Sequence, residues 1–513
     1  MARSGRVDDM VISRRSFLRT TGVGMTAAAL AACSAKTGTP TTTPSATTMP
    51  ATTATAPVPM NLTTLAGKLK GHLLTPESAG YDLARRSYNP LFDGRRPAAV
   101  AQCASTSDVQ ACVEMAAATH MPIAARGGGH SYAGYSTPDD ALVVDLANMA
   151  GVQVSGDTVV IGAGARLIDV YAALAAAGRC LAAGSCPSVG IAGLTLGGGI
   201  GVLARKYGLT CDSLAAATVV TADGQARTVS ASSDADLFWA LRGGGGGNFG
   251  IVTSFTFRTV PAPQLTVFSY GYNAVADAFA AWQPWIAAAP DELWANFNVT
   301  GGNPPTCTIT GCYVGGAAGV RPLLNKLTGQ IGATPTYHTQ ATLSYLDAMR
   351  YFASCSSKSM ATCQAQTQGA QWNRESFVAS SRMLATPPHD PATIVTAATG
   401  HPDLHLIIDG LGGAVGRVAA ADTAFPHRSA LASVQIYLKT TAAAASGAAQ
   451  QIHAVRDELV PATGATGYVN YIDATMPNWA DAYYGANLPR LRTVARTYDP
   501  NQLFTFAQSV NHA

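Results

Sequence analysis

Glycine is concentrated rather than spread in this chain of 513 residues and 51 glycines. Dense runs fall at Gly127-Gly128-Gly129, between Gly184 and Gly208, and at Gly243 to Gly247 with Gly250 close behind. Glycine lets main chain pass close to another surface and adopt positive φ, so such runs point to backbone shaped around a ligand. They sit where strand-like and helix-like segments meet. A chain of this length exceeds one ordinary domain and is expected to form two lobes.

From about residue 61 to 263, short strands and helices alternate. Ser107 is the expected N-cap of a helix whose apolar face carries Val109, Cys112, Val113 and Ala116. Arg166 to Ala177 reads as a second helix, Asp223-Gly224 as a tight turn between strands, and Ile251 to Phe257 as a long strand. The composition shifts at Pro261-Ala262-Pro263. Residues 264–463 read as a second lobe of longer, more aromatic strands with two helical stretches. Residues 464–513 are motif-dense again and are expected to return to the first lobe.

Several functions are excluded. Gly245 to Gly250 satisfies GxGxxG, but a dinucleotide fingerprint follows a strand and opens a helix; here a helix precedes and a strand follows. No GxxxxGK[ST] is present. Ala133 stands where the serine-hydrolase elbow GxSxG needs glycine. Formal net charge is +3 with no basic stripe interleaved with aromatics, which argues against a nucleic-acid partner. No CxxC pair or HExxH marks a metal site.

The N-terminus reads as an address. Arg14-Arg15 precedes a short apolar run, Gly22 to Ala32, as in a twin-arginine signal, and Leu30-Ala31-Ala32-Cys33 resembles a lipobox. Residues 1–33 are therefore expected to direct export and to leave Cys33 lipidated, anchoring the protein outside the cytoplasmic membrane without spanning it. Residues 34–60, rich in Thr, Pro and Ala, read as an extended tether. Of the remaining cysteines, Cys307 with Cys312 and Cys355 with Cys363 are candidate local disulfides, and Cys112 reads as a packed helix residue.

Arg126-Gly127-Gly128-Gly129-His130-Ser131 resembles the flavin-linking segment of the berberine bridge enzyme-like group, in the vanillyl-alcohol oxidase class of FAD enzymes. Gly184-Ser185-Cys186-Pro187-x-Val189-Gly190-Ile191-x-Gly193 resembles the same group's second linking site. NPLFDGRRP, GGGGGNFGIVTSF, FPHR, NYID and YDPNQLF extend the likeness along almost the whole chain after the tether. The resemblance implies an α+β fold: a PCMH-type FAD-binding domain of two α+β subdomains over 61–263, and a substrate domain with an antiparallel sheet flanked by helices. It also implies FAD attached covalently through His130 and Cys186, an imidazole and a thiolate serving as the two nucleophiles. The flavin bed would comprise Arg126, Gly127, Gly128, Gly129, Ser131, Val189, Gly190, Gly193, Gly197, Gly198, Gly199, Gly250, Ile251, Val252 and Asn470.

By the same resemblance the enzyme removes hydride from a substrate C–H while a base takes the hydroxyl proton. In carbohydrate oxidases of the group the base is a tyrosine in an Asn-Tyr motif, which maps onto Asn470-Tyr471. Asp409 resembles a strand-end aspartate that partners this tyrosine. The implied reaction is oxidation of an alcohol, such as a sugar hydroxyl. Val189 falls at the group's dioxygen gate, where valine goes with oxidases and hydrogen peroxide. Two alternatives stand beside this reading: a dehydrogenase passing electrons to a quinone-type acceptor, and a lipid-tethered binding protein without turnover. Trp282, Trp285 and Trp294 serve either as sugar-stacking residues or as core.

Overall fold

A computed structural model describes residues 61–385 and 389–513. The expected signal, lipobox and tether lie outside the described residues. The described residues form one compact unit built on three main sheets.

The first sheet has the order β1-β2-β4-β3, with β1 His72–Leu74, β2 Ala99–Gln102, β3 Ile123–Arg126 and β4 Leu142–Asp145. β4 runs parallel to both β2 and β3. It is buried along its whole length, as its unbroken apolar run Leu-Val-Val demands of a central parallel strand. The helix Thr106–Thr119 packs its Val109, Cys112, Val113 and Ala116 into the core. Its N-cap is Ser105, which accepts from the Asp108 amide, not the expected Ser107. The cap lies two residues earlier because Thr106 and Ser107 already belong to the helix.

The second sheet is antiparallel, in the order β5-β6-β10-β8-β9, from β5 Val152–Ser155, β6 Thr158–Gly162, β8 Leu214–Val220, β9 Ala226–Ser230 and β10 Ile251–Arg258. Two short strands, β7 Arg179–Cys180 and β11 Val260–Pro261, pair beside it. The turn expected at Asp223-Gly224 joins β8 to β9, with Gly224 at φ +75°.

The third sheet has seven antiparallel strands in the order β15-β12-β14-β13-β17-β18-β16. They are β12 Leu265–Tyr272, β13 Leu293–Thr300, β14 Thr306–Val314, β15 Tyr337–Leu343, β16 Phe377–Leu384, β17 Leu404–Gly410 and β18 Ala432–Lys439. Four helices share a core with them, Val275–Ala287, Ala317–Ile331, Pro391–Ala398 and Ala445–Glu458. Two had been expected; the low apolar content of the last and the proline inside the first two blur their periodicity.

Alternation along these strands separates two faces. Phe268, Phe297, Ile309, Leu406, Val434 and Ile436 lie in the core shared with those helices. On the opposite face, one register row crosses Ser269, Thr310, Asn296, Asp409, Ser433 and Met383. Most of that row is polar. At one end of this face Val267, Trp294 and Cys312 join the core of the first lobe, and the Cys312 thiol lies 3.2 Å from the Val202 carbonyl.

The cysteines sort by the same alternation. Cys355 and Cys363 form a disulfide. Cys307 and Cys312 do not: five positions apart on β14, they point to opposite faces and into different cores. Trp282, Trp285 and Trp294 are all buried in the core, at 0%, 3% and 4% exposure, so they are not sugar platforms.

Candidate active site

Two loops bring the expected attachment residues together. His130 lies on the loop leaving β3, Cys186 on the loop between β7 and the helix Ile191–Leu196. The Ser188 hydroxyl stands between them, 3.0 Å from His130 Nε2 and 3.6 Å from Cys186 Sγ. Arg166 clamps the same loops: its Nη1 donates to the carbonyls of Gly128 and, at 3.0 Å, Ser188. The Cys186 loop is also stapled to the start of the Leu167–Ala176 helix, whose Leu167 and Ile168 amides donate to the Val189 and Pro187 carbonyls at 3.0 and 3.2 Å.

Aromatic rings enclose the imidazole. Tyr88 stacks on His130 at 4.0 Å between centroids, and Trp372 lies tilted at 6.2 Å while also covering the Arg166 guanidinium. This burial, reinforced by the Arg166 charge and only partly opposed by a backbone contact with Ser188, holds the imidazole well below its ordinary range. His130 is therefore neutral at physiological pH and keeps a nucleophilic lone pair. Among the described cysteines outside the disulfide, Cys186 alone is not buried. Burial pushes Cys180 and Cys307 up to about 12, leaving both thiols inert.

The glycines divide by what surrounds them. Gly128 and Gly190 were expected to meet a ligand, yet each faces the other: a Cβ on Gly128 would lie 2.2 Å from the Gly190 nitrogen. They are glycine because two loops cross there. A Cβ on Gly127 would press on the Ala163 carbonyl, on Gly197 on the Asn470 amide, on Gly198 on Phe425, and on Gly199 on Thr210. Gly129 has φ +67° and Gly250 φ +137°. Ile251 and Val252 are core residues of β10. Gly193 and Gly246 differ. Both are exposed; a Cβ on Gly193 would meet nothing within 4 Å, and one on Gly246 only Leu196 at 3.8 Å.

Beside the His130 loop, the hydroxyls of Tyr135 and Ser136 are buried without a hydrogen-bond partner. Unfilled space along Gly193 and Gly246 and two unpaired buried hydroxyls fit a large polar ligand of the FAD type. Ser131 Oγ instead accepts from the Tyr135 amide at 3.1 Å and shapes the loop. Arg126 is likewise structural, paired at 2.8 Å with Asp145 on β4, both nearly buried.

Tyr471 reaches this region through the C-terminal segment. Asn470 Nδ2 donates to the Leu194 carbonyl and to the Tyr468 hydroxyl, both at 2.9 Å. The Tyr471 ring lies face to face with Tyr132 at 5.5 Å and edge-on to Tyr468 at 5.0 Å. Gln435 Nε2 on β18 donates to the Tyr132 hydroxyl at 2.6 Å, tying the polar sheet face to the loop that carries His130. Asp409 lies on that same face, opposite Asn296 and Ser433. Ser188, Tyr132 and Gln435 were not among the expected site residues. The first was the unassigned position in the Cys186 motif; nothing in the local sequence of Gln435 marks it.

Residues 97–230 match the family model described as FAD binding domain, and residues 467–511 the one described as Berberine and berberine like. The uncharacterized FAD-linked oxidoreductase YgaK of Bacillus subtilis is 35% identical over 457 residues, 86% of this chain and 97% of that protein. The chain belongs to the berberine bridge enzyme-like FAD-linked oxidoreductases. A chitooligosaccharide oxidase of Gibberella zeae is 33% identical over 442 residues, 81% of this chain and 87% of that one. The solved structure of Physcomitrella patens BBE-like 1 superposes with a TM-score of 0.82 at 30% identity, covering 88% of this chain and 99% of that one. The protein is thus an FAD enzyme on the PCMH-type α+β fold.

Family membership also explains motifs that lie away from the site. In FPHR, Arg428 forms a two-pronged pair with Asp212 at 2.7 and 2.8 Å, and His427 Nε2 lies 3.2 Å from the Tyr483 carbonyl. Asp499 of YDPNQLF accepts from the Leu503 and Phe504 amides. His427 and Asp499 thus make contacts to and within the C-terminal segment that carries Tyr471, while Arg428 ties its loop to Asp212.

Proposed function

We propose that this enzyme oxidises a CH–OH group of a sugar or oligosaccharide, with FAD held through both His130 and Cys186, dioxygen as electron acceptor and hydrogen peroxide as product. The observation that carries the reading is the convergence on the Ser188 hydroxyl of a neutral imidazole and the one unburied unbridged thiol among the described residues. A solved glucooligosaccharide oxidase from Acremonium strictum, 27% identical with a TM-score of 0.79, is described as revealing a novel flavinylation, which supports it.

Carbohydrate is favoured by the row of hydroxyl, amide and carboxylate groups on the sheet face toward the site. Such groups match a polyhydroxylated ligand better than an apolar one. Similar proteins named for chitooligosaccharide, glucooligosaccharide and xylooligosaccharide oxidation support the same class.

FAD, when bound, supplies the two-electron acceptor for the substrate's hydride. The chain's own part is proton handling and placement. Tyr471 takes the hydroxyl proton, so that proton and hydride leave adjacent atoms. Tyr132 and Tyr468 fix its ring from two sides, and Gln435 fixes Tyr132. Asp409, on the same polar sheet face as Gln435, is the carboxylate proposed to assist this transfer. Val189 borders the Cys186 loop as the gate for dioxygen.

A panel of mono- and oligosaccharides assayed for hydrogen peroxide tests the reaction. Peroxide with at least one sugar is expected; reduction by sugars with reoxidation only by a quinone would overturn the acceptor. Export by the twin-arginine route with a lipidated Cys33 is proposed from residues 1–33. Full-length protein should partition with membranes and Cys33→Ser should release it.

A further inference from the structure

Alkylation of the His130 ring needs a lone pair on the attacking nitrogen, and the structure places one hydroxyl that decides which nitrogen carries it. This inference rests on the double attachment proposed above. Each attachment replaces one C–H bond of the flavin ring system and one N–H or S–H bond of the protein with a single new bond to carbon. The two hydrogens depart with one dioxygen as hydrogen peroxide, so dioxygen is the oxidant at both sites.

At His130 the chemistry distinguishes the two nitrogens. A neutral imidazole has one N–H and one lone pair. Nε2 faces the Ser188 hydroxyl at 3.0 Å. With the hydrogen on Nε2 donated to Ser188, Nδ1 carries the lone pair. Bond formation at Nδ1 makes the Nε2 hydrogen acidic, and the surroundings oppose a lasting cation: Tyr88 and Trp372 exclude water, and the Arg166 guanidinium lies close by. That hydrogen leaves with the peroxide, and until it does Ser188 Oγ accepts the Nε2–H hydrogen bond.

The same hydroxyl has its own hydrogen to direct. Donated toward Cys186 Sγ at 3.6 Å, it stabilises developing thiolate while Oγ still accepts from Nε2. In the reverse orientation, Sγ–H to Oγ and Oγ–H to Nε2, the imidazole hydrogen sits on Nδ1 and blocks attack. One hydroxyl therefore sets the state of both nucleophiles together. Its position is fixed independently of either: Ser188 is 5% exposed, and its carbonyl is held by Arg166.

We propose that Ser188 is the positioning residue of covalent flavin attachment, holding by its hydrogen bond to Nε2 the His130 tautomer that exposes the Nδ1 lone pair.

The test follows attachment itself rather than turnover. Full-length wild-type, Ser188→Ala and Ser188→Thr proteins, produced in flavin-starved cells, are incubated with FAD in air. Total bound FAD and acid-stable flavin on the His130 peptide are followed with time. Ser188→Ala is expected to bind one FAD per chain but to form the His130 bond at least about tenfold more slowly, and Ser188→Thr to restore the rate. Attachment at the wild-type rate in Ser188→Ala would overturn the proposal. So would loss of FAD binding altogether in that variant, because Ser188 would then be a residue of the fold. Wild-type protein that binds FAD without any acid-stable flavin would instead overturn double attachment.

Discussion

Tyr132 and Tyr471 lie face to face, 5.5 Å between ring centroids and 16° from parallel. One comes from the loop just after His130, the other from the C-terminal segment, more than three hundred residues later. Their stacking joins the loop proposed for flavin attachment to the proposed base, and Gln435 extends the link to the polar sheet face.

Tyr471→Phe keeps the ring and removes the proton acceptor. Flavin reduction by sugar is expected to slow about 10²- to 10⁴-fold with cofactor content unchanged, measured by anaerobic stopped-flow. Tyr132→Phe keeps the stack but loses the Gln435 bond, and should lower kcat far less than Tyr132→Ala. Equal effects of the two Tyr132 variants would remove stacking from the account.

Gly193 and Gly128 should fail differently. Alanine at Gly193 meets no protein atom within 4 Å and, inside a helix, should leave the flavin-free fold as stable or up to about 1 kcal/mol more stable. It should nonetheless weaken FAD retention. Alanine at Gly128 strikes Gly190 backbone and should lower the melting temperature even without flavin. Unchanged flavin content in Gly193→Ala would mean that the cofactor does not border this helix.

Acid should destabilise the fold through His427. Burial lowers its pKa to about 4 from an ordinary 6.5, so between those values the unfolded chain binds a proton that the folded chain refuses. Stability therefore rises with pH across that window, and acidification from pH 6.5 to 4 costs up to about 3 kcal/mol from this group. Urea midpoints for His427→Asn should show a flatter pH slope than wild type; parallel slopes would contradict the assignment.

The Cys355–Cys363 disulfide, spanning eight residues, leads into the segment that carries Trp372 over His130 and Arg166. Gln364 beside it donates to Asp169 at 2.8 Å. Cys355→Ser with Cys363→Ser should lower unfolding free energy by about 2–3 kcal/mol through the freed loop. An unchanged denaturation midpoint would show that the segment is held by packing alone.

What could be read along the chain was whatever is local. His130 and Cys186 stand in glycine-rich motifs, the second lobe's longer, more aromatic strands show in the composition while their antiparallel pairing came from the family resemblance, and Asn470-Tyr471 stands in its own motif. What escaped was what depends on distant pairing. Gln435 matters because β18 brings it to Tyr132, and Arg166 because two loops cross beneath it. Gly128 and Gly190 looked like ligand contacts because a glycine demanded by another glycine leaves the same local trace. Trp282, Trp285 and Trp294 could be read as sugar-stacking or as core until the helix and the strand that carry them were placed.

The central claim is that one flavin bridges His130 and Cys186, and tryptic mass spectrometry of the denatured native protein tests it directly. The residues fall on separate peptides, 127–166 and 180–205. The account predicts a single species in which both peptides are joined through one FAD. Two free peptides, with all the flavin released into the supernatant on acid precipitation, would contradict it.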